Sequence, residues 1–367
     1  MEPIHTSLLD WHAASGRKDL PWQQNITPYR VWVSEIMLQQ TQVTTVIDYY
    51  NRFMARFPNV ERLAGASLDE VLHLWTGLGY YARGRNLHKT ARIVAQQHAG
   101  EFPSAQAELE SLPGIGRSTA GAIRAIAFNE RGVILDGNVK RVLTRLHALE
   151  GHPGESRIAR ELWQLAEFHT PQNRTATYTQ AIMDLGATVC TRRRPTCDSC
   201  PLSDQCRARL EGNPEAYPTR KPGKDKPLRQ ARFFILTSHA GAVYLERRPL
   251  NGLWGGLWTP PERPSGMQAS QFLAELGLRG IPTSRVQIQP PLRHAFTHFH
   301  LDATPVYITI DPPTELLVAD REDTTWVSSA ELTGANAGIG LSALAVKLLA
   351  PTLEEITDEQ ANSLSQV

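Results

Sequence analysis

Four cysteines, Cys190, Cys197, Cys200 and Cys206, fall in the run CTRRRPTCDSCPLSDQC with the spacing C-x6-C-x2-C-x5-C, and the remaining sequence has none. Thiolates gathered this closely repel one another unless a metal centre shares their charge. Two structural disulfides are the competing reading. A chain of 367 residues with 41% hydrophobic content buries its own core without such staples. Zinc competes more strongly, but zinc sites usually pair two short knuckles, and only Cys197 and Cys200 form one. The uneven spacing lets one loop wrap a larger, cubane-like object, so it favours an iron–sulfur cluster without excluding zinc.

Two carboxylates stand out next. Glu35 lies in VWVSEIMLQQ beside Val33, Ile36 and Met37. A carboxylate there is either on a solvated edge or buried for a purpose. Asp136, in VILDGNVKRVLTRL, sits just before a helical run, where its default role is an N-cap. Tyr80 and Tyr81, in GLGYYARGRN, read equally well as core aromatics. None of these is decisive alone.

The elements that must position these groups divide the chain. Apolar residues at three- and four-residue spacing predict helices through YRVWVSEIMLQQTQVTTVIDYYNRFMARF, LDEVLHLW, RNLHKTARIVAQQH, VKRVLTRLHAL and SRIARELWQLAEF. AQAELESL followed by LPGIGRSTAGAIRAIAF reads as a helix–hairpin–helix. Gly114 and Gly116 allow a tight turn whose N–H groups face outward at a helix N-terminus, an anion site. An ordinary packing corner would look similar. GNPEAYPTRKPGKDKPL, Gly212 to Leu228, is rich in Pro, Gly and Lys and reads as a linker. Beyond it, short strand-like runs such as ARFFILTSH and AVYLERR predict an α+β domain.

Net charge is +1, but residues 1–225 carry 27 Lys+Arg against 23 Asp+Glu, and residues 226–367 carry 11 against 14. The modest basic excess lies with the cysteines and permits phosphate binding. MEPIHTSLLDW lacks a basic start followed by an apolar run, so no secretory signal is expected. No stretch reaches the ~18 apolar residues needed to span a bilayer, so a cytoplasmic protein, and no membrane partner, are expected.

Taken together, the cysteine pattern, LPGIGRSTA and Asp136 resemble the helix–hairpin–helix DNA glycosylases of the endonuclease III type. SEIMLQQTQV, TGLGYYARGRNLH and the C-terminal half narrow the resemblance to MutY-type adenine DNA glycosylases, and it covers nearly the whole chain. The expected fold is therefore multidomain. An all-α helix–hairpin–helix glycosylase region occupies 1–211, with a [4Fe-4S] loop at 190–206. A linker follows at 212–228, an α+β Nudix-like domain at 229–350 and a tail at 351–367.

The resemblance implies excision of adenine mispaired with 8-oxoguanine or guanine in duplex DNA, by a monomer acting at the nucleoid. It implies a [4Fe-4S] cluster on the four cysteines. It also assigns roles. Glu35 is the acid that protonates adenine, and its apolar neighbours suit a raised pKa. Asp136, ionised, stabilises the oxocarbenium-like sugar, as paired carboxylates do in glycoside hydrolysis. Asn138 helps to orient acid and water. Bifunctional relatives carry a lysine where Ser118 stands. A hydroxyl cannot form an imine, so a monofunctional enzyme is expected.

DNA contacts are expected from Gly114, Gly116 and Ser118, from Leu38, Gln40, Thr41 and Gln42 near Glu35, and from Tyr80 as a wedge between bases. In the C-terminal domain, LNGLWGGLWTPPE resembles a Nudix opening, but the helix ASQFLAELGL offers only Glu275 to a metal. A base reader, rather than a nucleotide hydrolase, is expected there. The family's reading segment corresponds to Phe296, Thr297 and His298, with threonine in place of the commoner serine. If extended, HAFTHFHL would put His294, Phe296, His298 and His300 on one strand face. Two alternatives remain at this stage: a bifunctional pyrimidine-lesion glycosylase, against which Ser118 weighs, and a metal-stabilised DNA-binding module whose carboxylates are only caps.

Overall fold

The protein is described from a computed structural model covering residues 3–221, 223, 225–239, 241–278, 281–310, 323–328, 331–332 and 338–364. Residues 222 and 224 of the expected linker and 365–367 of the expected tail lie outside the described residues.

The chain divides into two compact units. The first comprises residues 1–65 and 86–223, and the second 66–85 and 224–367. The first is helical: α1 (His5–Ser15), α2 (Pro28–Leu38), α3 (Val43–Arg56) and α4 (Val60–Ala64) precede the excursion into the second unit. That excursion holds α5 (Leu68–Leu74) and the first turn of α6 (Ala82–Gln97). The first unit then continues through α7 (Gln106–Ser111), α8 (Arg117–Ala127), α9 (Gly137–His147), α10 (Ser156–His169), α11 (Thr175–Asp184) and the short α12 (Arg207–Leu210).

Local chemistry sets the ends that matter. Helix α2 starts where Thr27 accepts the Arg30 N–H at 3.2 Å and Pro28 supplies a preset φ. The long helical run expected through α2 and α3 is in fact broken at Gln39–Gln42. Thr41 N–H closes a turn on the Leu38 carbonyl, and Gln40 is left-handed at φ 57°. The break places Gln40 and Gln42 in solvent next to the helix that carries Glu35. Helix α9 begins at Asp136, whose carboxylate accepts the Val139 N–H at 2.8 Å. The apolar sides of α8, α9, α10 and α11 share one core, with Leu143, Leu162, Ala181 and Leu185 fully enclosed.

The described strands of the second unit form one mixed sheet. They are β1 (Leu228–Ser238), β2 (Val243–Arg247), β3 (Trp258–Thr259), β4 (Glu262–Pro264), β5 (Val286–Ile288), β6 (Leu292–Ala295), β7 (His300–Ile310) and β8 (Thr324–Val327). The order is β3-β2-β1-β7-β5, with β1 and β7 parallel over eleven residue pairs. The helix α13 (Ala269–Glu275) packs Phe272 on Phe234 of β1, with ring centroids 4.2 Å apart. The last helix, α14 (Ala343–Leu364), continues through Pro351. Among the described residues no helix is long and apolar enough to cross a membrane.

The strand HAFTHFHL does not run extended. β6 ends at Ala295, which pairs with His300 at the start of β7, and Phe296 N–H closes a turn on the Phe299 carbonyl at 2.9 Å. The four groups therefore do not share a face. Phe296 folds back onto His294 and Trp254 (centroids 4.6 and 5.1 Å), while Thr297 and His298 stand exposed at the turn. Stacking of Phe296 on Phe299 at 4.4 Å closes the turn more favourably than alternation would.

Candidate active site

Within the helical unit, a cavity of about 670 Å3 is lined by Glu35, Leu38, Gln40 and Thr41 from the α2 end and by Ser118, Asp136 and Asn138 from α8 and α9. Glu35 reaches it because the apolar side of α2, including Trp32, Val33 and Ile36, is committed to the core. Glu35 itself is half-buried on the cavity wall. Burial, and secondarily the negative charge of Asp136, push its carboxyl up to about 8.

Asp136 is also raised by burial, but against opposition. The N–H groups of Val139 and Asn138 and the charges of Arg141 and Lys140 all favour its ionised form. No such donor or cation acts on Glu35. Burial thus favours the protonated form of Glu35, while these contacts favour the ionised form of Asp136.

Asp136 is held from behind. The Ser118 hydroxyl accepts the Leu135 N–H at 2.9 Å, so Ser118 fixes the residue preceding the carboxylate. The segment at Val133 lies so close to α8 that a Cβ on Gly121 would come within 2.1 Å of the Val133 carbonyl oxygen. The Asn138 carbonyl oxygen accepts from Arg141 at 2.8 Å, and Arg141 also donates to the Gly186 and Cys190 carbonyls.

Part of the cavity lining rests on an ion pair that joins distant parts of the sequence. Asp184, fully buried, accepts from the Arg17 guanidinium (2.6 and 2.9 Å), the Arg17 backbone N–H and Gln180. His12 lies 3.4 Å from the same carboxylate, and its charged form is disfavoured chiefly by burial. Arg17, His12 and Gln180 all line the cavity. Nothing in the spacing of these residues relates them, because Arg17 and Asp184 are 167 positions apart.

The glycine turn is as expected in form. Gly114 is left-handed at φ 81°, and a Cβ there would press on Asn86 at 2.9 Å. Gly116 caps α8 at an ordinary φ of −96° with open space around it, and no side chain caps the α8 N–H groups. Leu38 and Thr41 are half-buried, and Gln40 and Gln42 exposed.

The four cysteines are free and half-buried. Among the described residues no group of three or more His, Cys, Asp or Glu closes on a point to hold a single metal ion. The thiols are still within electrostatic reach: negative charge on Cys190 raises Cys197, Cys200 and Cys206, and burial raises Cys200 to about 11. Arg145 donates to the Cys190 sulfur at 3.4 Å and to the Thr191 and Arg192 carbonyls. This donor set, spread beyond one ion yet mutually repelling when ionised, suits a larger cationic centre.

In the second unit, the Tyr80 hydroxyl lies 3.4 Å from that of Thr297. Glu275, the one carboxylate on α13, is paired with Arg263 at 2.9 Å.

Known proteins place this geometry. Residues 33–168 match the HhH-GPD superfamily base excision DNA repair protein family, and residues 232–350 match the NUDIX domain. Adenine DNA glycosylase of Buchnera aphidicola subsp. Acyrthosiphon pisum is 39% identical over 303 residues, covering 83% of this chain and 85% of that protein. The chain belongs to the adenine DNA glycosylase family. Human adenine DNA glycosylase is 35% identical, covering 88% of this chain and 72% of its own length. A thermostable thymine-DNA glycosylase is similar in structure, with a TM-score of 0.50 at 26% identity over 57% of this chain and 95% of its own. As a family member the chain is a DNA glycosylase of base excision repair that binds DNA. It couples a helical HhH-GPD region to a Nudix-like domain.

Proposed function

We propose that the protein excises adenine paired with 8-oxoguanine or guanine, with Glu35 as the general acid and Asp136 as the stabilising carboxylate. The observation that carries this reading is the Glu35 carboxyl, pushed up to about 8, on the wall of one cavity with Asp136, which caps α9 by accepting the Val139 N–H. Adenine leaves poorly as an anion. Glu35 gives its proton to N7 of the extruded base, the C1′–N9 bond breaks with its electron pair going to the base, and neutral adenine departs. The cationic sugar lies against the Asp136 carboxylate. Water adds at C1′, its proton returns to Glu35, and an abasic site remains. Asn138 orients the water, its carbonyl held by Arg141.

Ser118 offers no amine, and its hydroxyl is occupied by the Leu135 N–H. The enzyme is therefore monofunctional, and borohydride should trap no stoichiometric covalent complex with DNA. Gly114 and Gly116 bring the open N–H groups of α8 to a phosphate. Gln40 and Tyr80 fill the space around the opposite base with Leu38, Thr41 and Gln42, and Phe296, Thr297 and His298 read it. Cys190, Cys197, Cys200 and Cys206 would hold a [4Fe-4S] cluster, which supplies charge and cross-linking to the 190–206 loop rather than acid–base chemistry. Arg141 and Arg145 tie that loop to α9.

The test is a duplex carrying 8-oxoguanine opposite adenine, incubated with enzyme and then cleaved by alkali. Glu35→Gln should bind this duplex as wild type does and release no adenine. Release at the wild-type rate would remove Glu35 from the chemistry.

A further inference from the structure

Residues 66–85 lie inside the span that matches the base excision family, yet they pack as part of the C-terminal unit. Their attachment is specific. Asp69, in the first turn of α5, accepts from the Trp258 indole N–H at 3.2 Å and from Arg247 at 3.4 Å. His73 Nδ1 donates to the Ile339 carbonyl at 3.2 Å. The Tyr81 hydroxyl donates to the Leu341 carbonyl at 3.1 Å and accepts the Gly77 N–H at 3.2 Å. Arg85 donates to the Gly255 carbonyl at 2.8 Å.

The turn between α5 and α6 is then shaped from within. Trp75 Nε1 and Arg83 both donate to the Gly79 carbonyl. Gly77, Gly79 and Tyr80 are left-handed, Tyr80 at φ 48°, a strained conformation for a non-glycine that persists only where its surroundings impose it. Tyr80 is thrust out, 50% exposed, with its hydroxyl at Thr297.

We infer that residues 66–85 are the base-reading unit's own wedge. Asp69 is a positioning residue that acts through α5 to hold Tyr80 beside Thr297, and so sets the preference for 8-oxoguanine over guanine opposite adenine. This rests on the proposed role of Tyr80 and Thr297 at the opposite base. The Asp69 carboxylate neutralises Arg247 and anchors Trp258 on the sheet that ends at the reading turn.

The experiment measures excision from 8-oxoguanine:adenine and guanine:adenine duplexes by full-length wild type, Asp69→Ala, Trp258→Phe, Thr297→Ala and Asp69→Ala/Thr297→Ala. In Asp69→Ala the preference should fall about 5- to 10-fold, through a raised KM for the 8-oxoguanine duplex with kcat within about twofold of wild type. Trp258→Phe, which keeps an aromatic side chain and removes the indole N–H, should move the preference the same way. The double variant should be no less selective than Thr297→Ala. Equal losses on both duplexes, unchanged preference in both Asp69→Ala and Trp258→Phe, or strictly additive losses would overturn the inference. Amide exchange at residues 77–81 is read alongside, and should quicken about tenfold in Asp69→Ala. If wild type shows no preference for 8-oxoguanine, the underlying reading fails. In that case unchanged exchange overturns the anchoring role, and quickened exchange supports it.

Discussion

The raised carboxyl of Glu35 ties activity to a stability cost. With Glu35 as the proposed acid, base release should be sustained through neutral pH and decline as pH rises through about 8. The same value acts on folding. The unfolded chain ionises Glu35 near its ordinary 4.5 while the folded chain keeps it protonated to about 8. Stability from the neutral buried form is complete below 4.5 and is lost as pH climbs to about 8, by at most about 1.4 kcal/mol per pH unit. Glu35→Gln should therefore be inactive yet melt higher than wild type at pH 7.5. The gap should narrow toward pH 5, as thermal unfolding across that range would show. That Glu35 and Asp136 line one cavity was foreshadowed by local patterns, an acid among apolar residues and an acid before a helix. The Arg17–Asp184 pair was not, because it exists only once α1 and α11 are brought together.

At the level of the element, two glycines of one helix make opposite demands. Gly121 meets the Val133 backbone, which cannot yield without moving the segment that leads to Asp136. Gly121→Ala should cost about 1–3 kcal/mol and lower kcat, as denaturant melts and single-turnover rates would show. Gly116 has free space and an ordinary φ. Gly116→Ala should fold with unchanged melting, yet weaken binding to every duplex alike, because a methyl stands where a phosphate approaches. The helix pattern was legible from spacing, and so was the glycine turn. The interruption at Gln39–Gln42 was not, because continuous apolar periodicity conceals a left-handed residue. The reading segment erred in the other direction: alternation suggested a strand, and aromatic stacking of Phe296 on Phe299 made a turn.

For the whole molecule, the linker suggests a simple cut that the packing does not respect. A chain ending at residue 223 would keep α5 and the Tyr80 turn but lose Trp258, Gly255, Ile339 and Leu341, their partners. Such a truncation should still release adenine while melting lower than the full chain and losing discrimination of the opposite base. Calorimetry and paired-duplex assays test both. Sequence composition marked the linker well, since Pro, Gly and Lys are locally diagnostic. It had no means of showing that twenty residues of the helical half belong elsewhere, because that depends on hydrogen bonds spanning up to 266 positions.

That arrangement also bears on synthesis. Tyr81 leaves the ribosome 260 residues before its acceptor at Leu341. At roughly 5–20 residues per second, the interval is about 13–52 seconds. Throughout it the nascent chain carries α5 before Gly256 and Gly340, which lie against Leu72, have been made. The second unit is thus completed around a segment made about 260 residues before one of its partners.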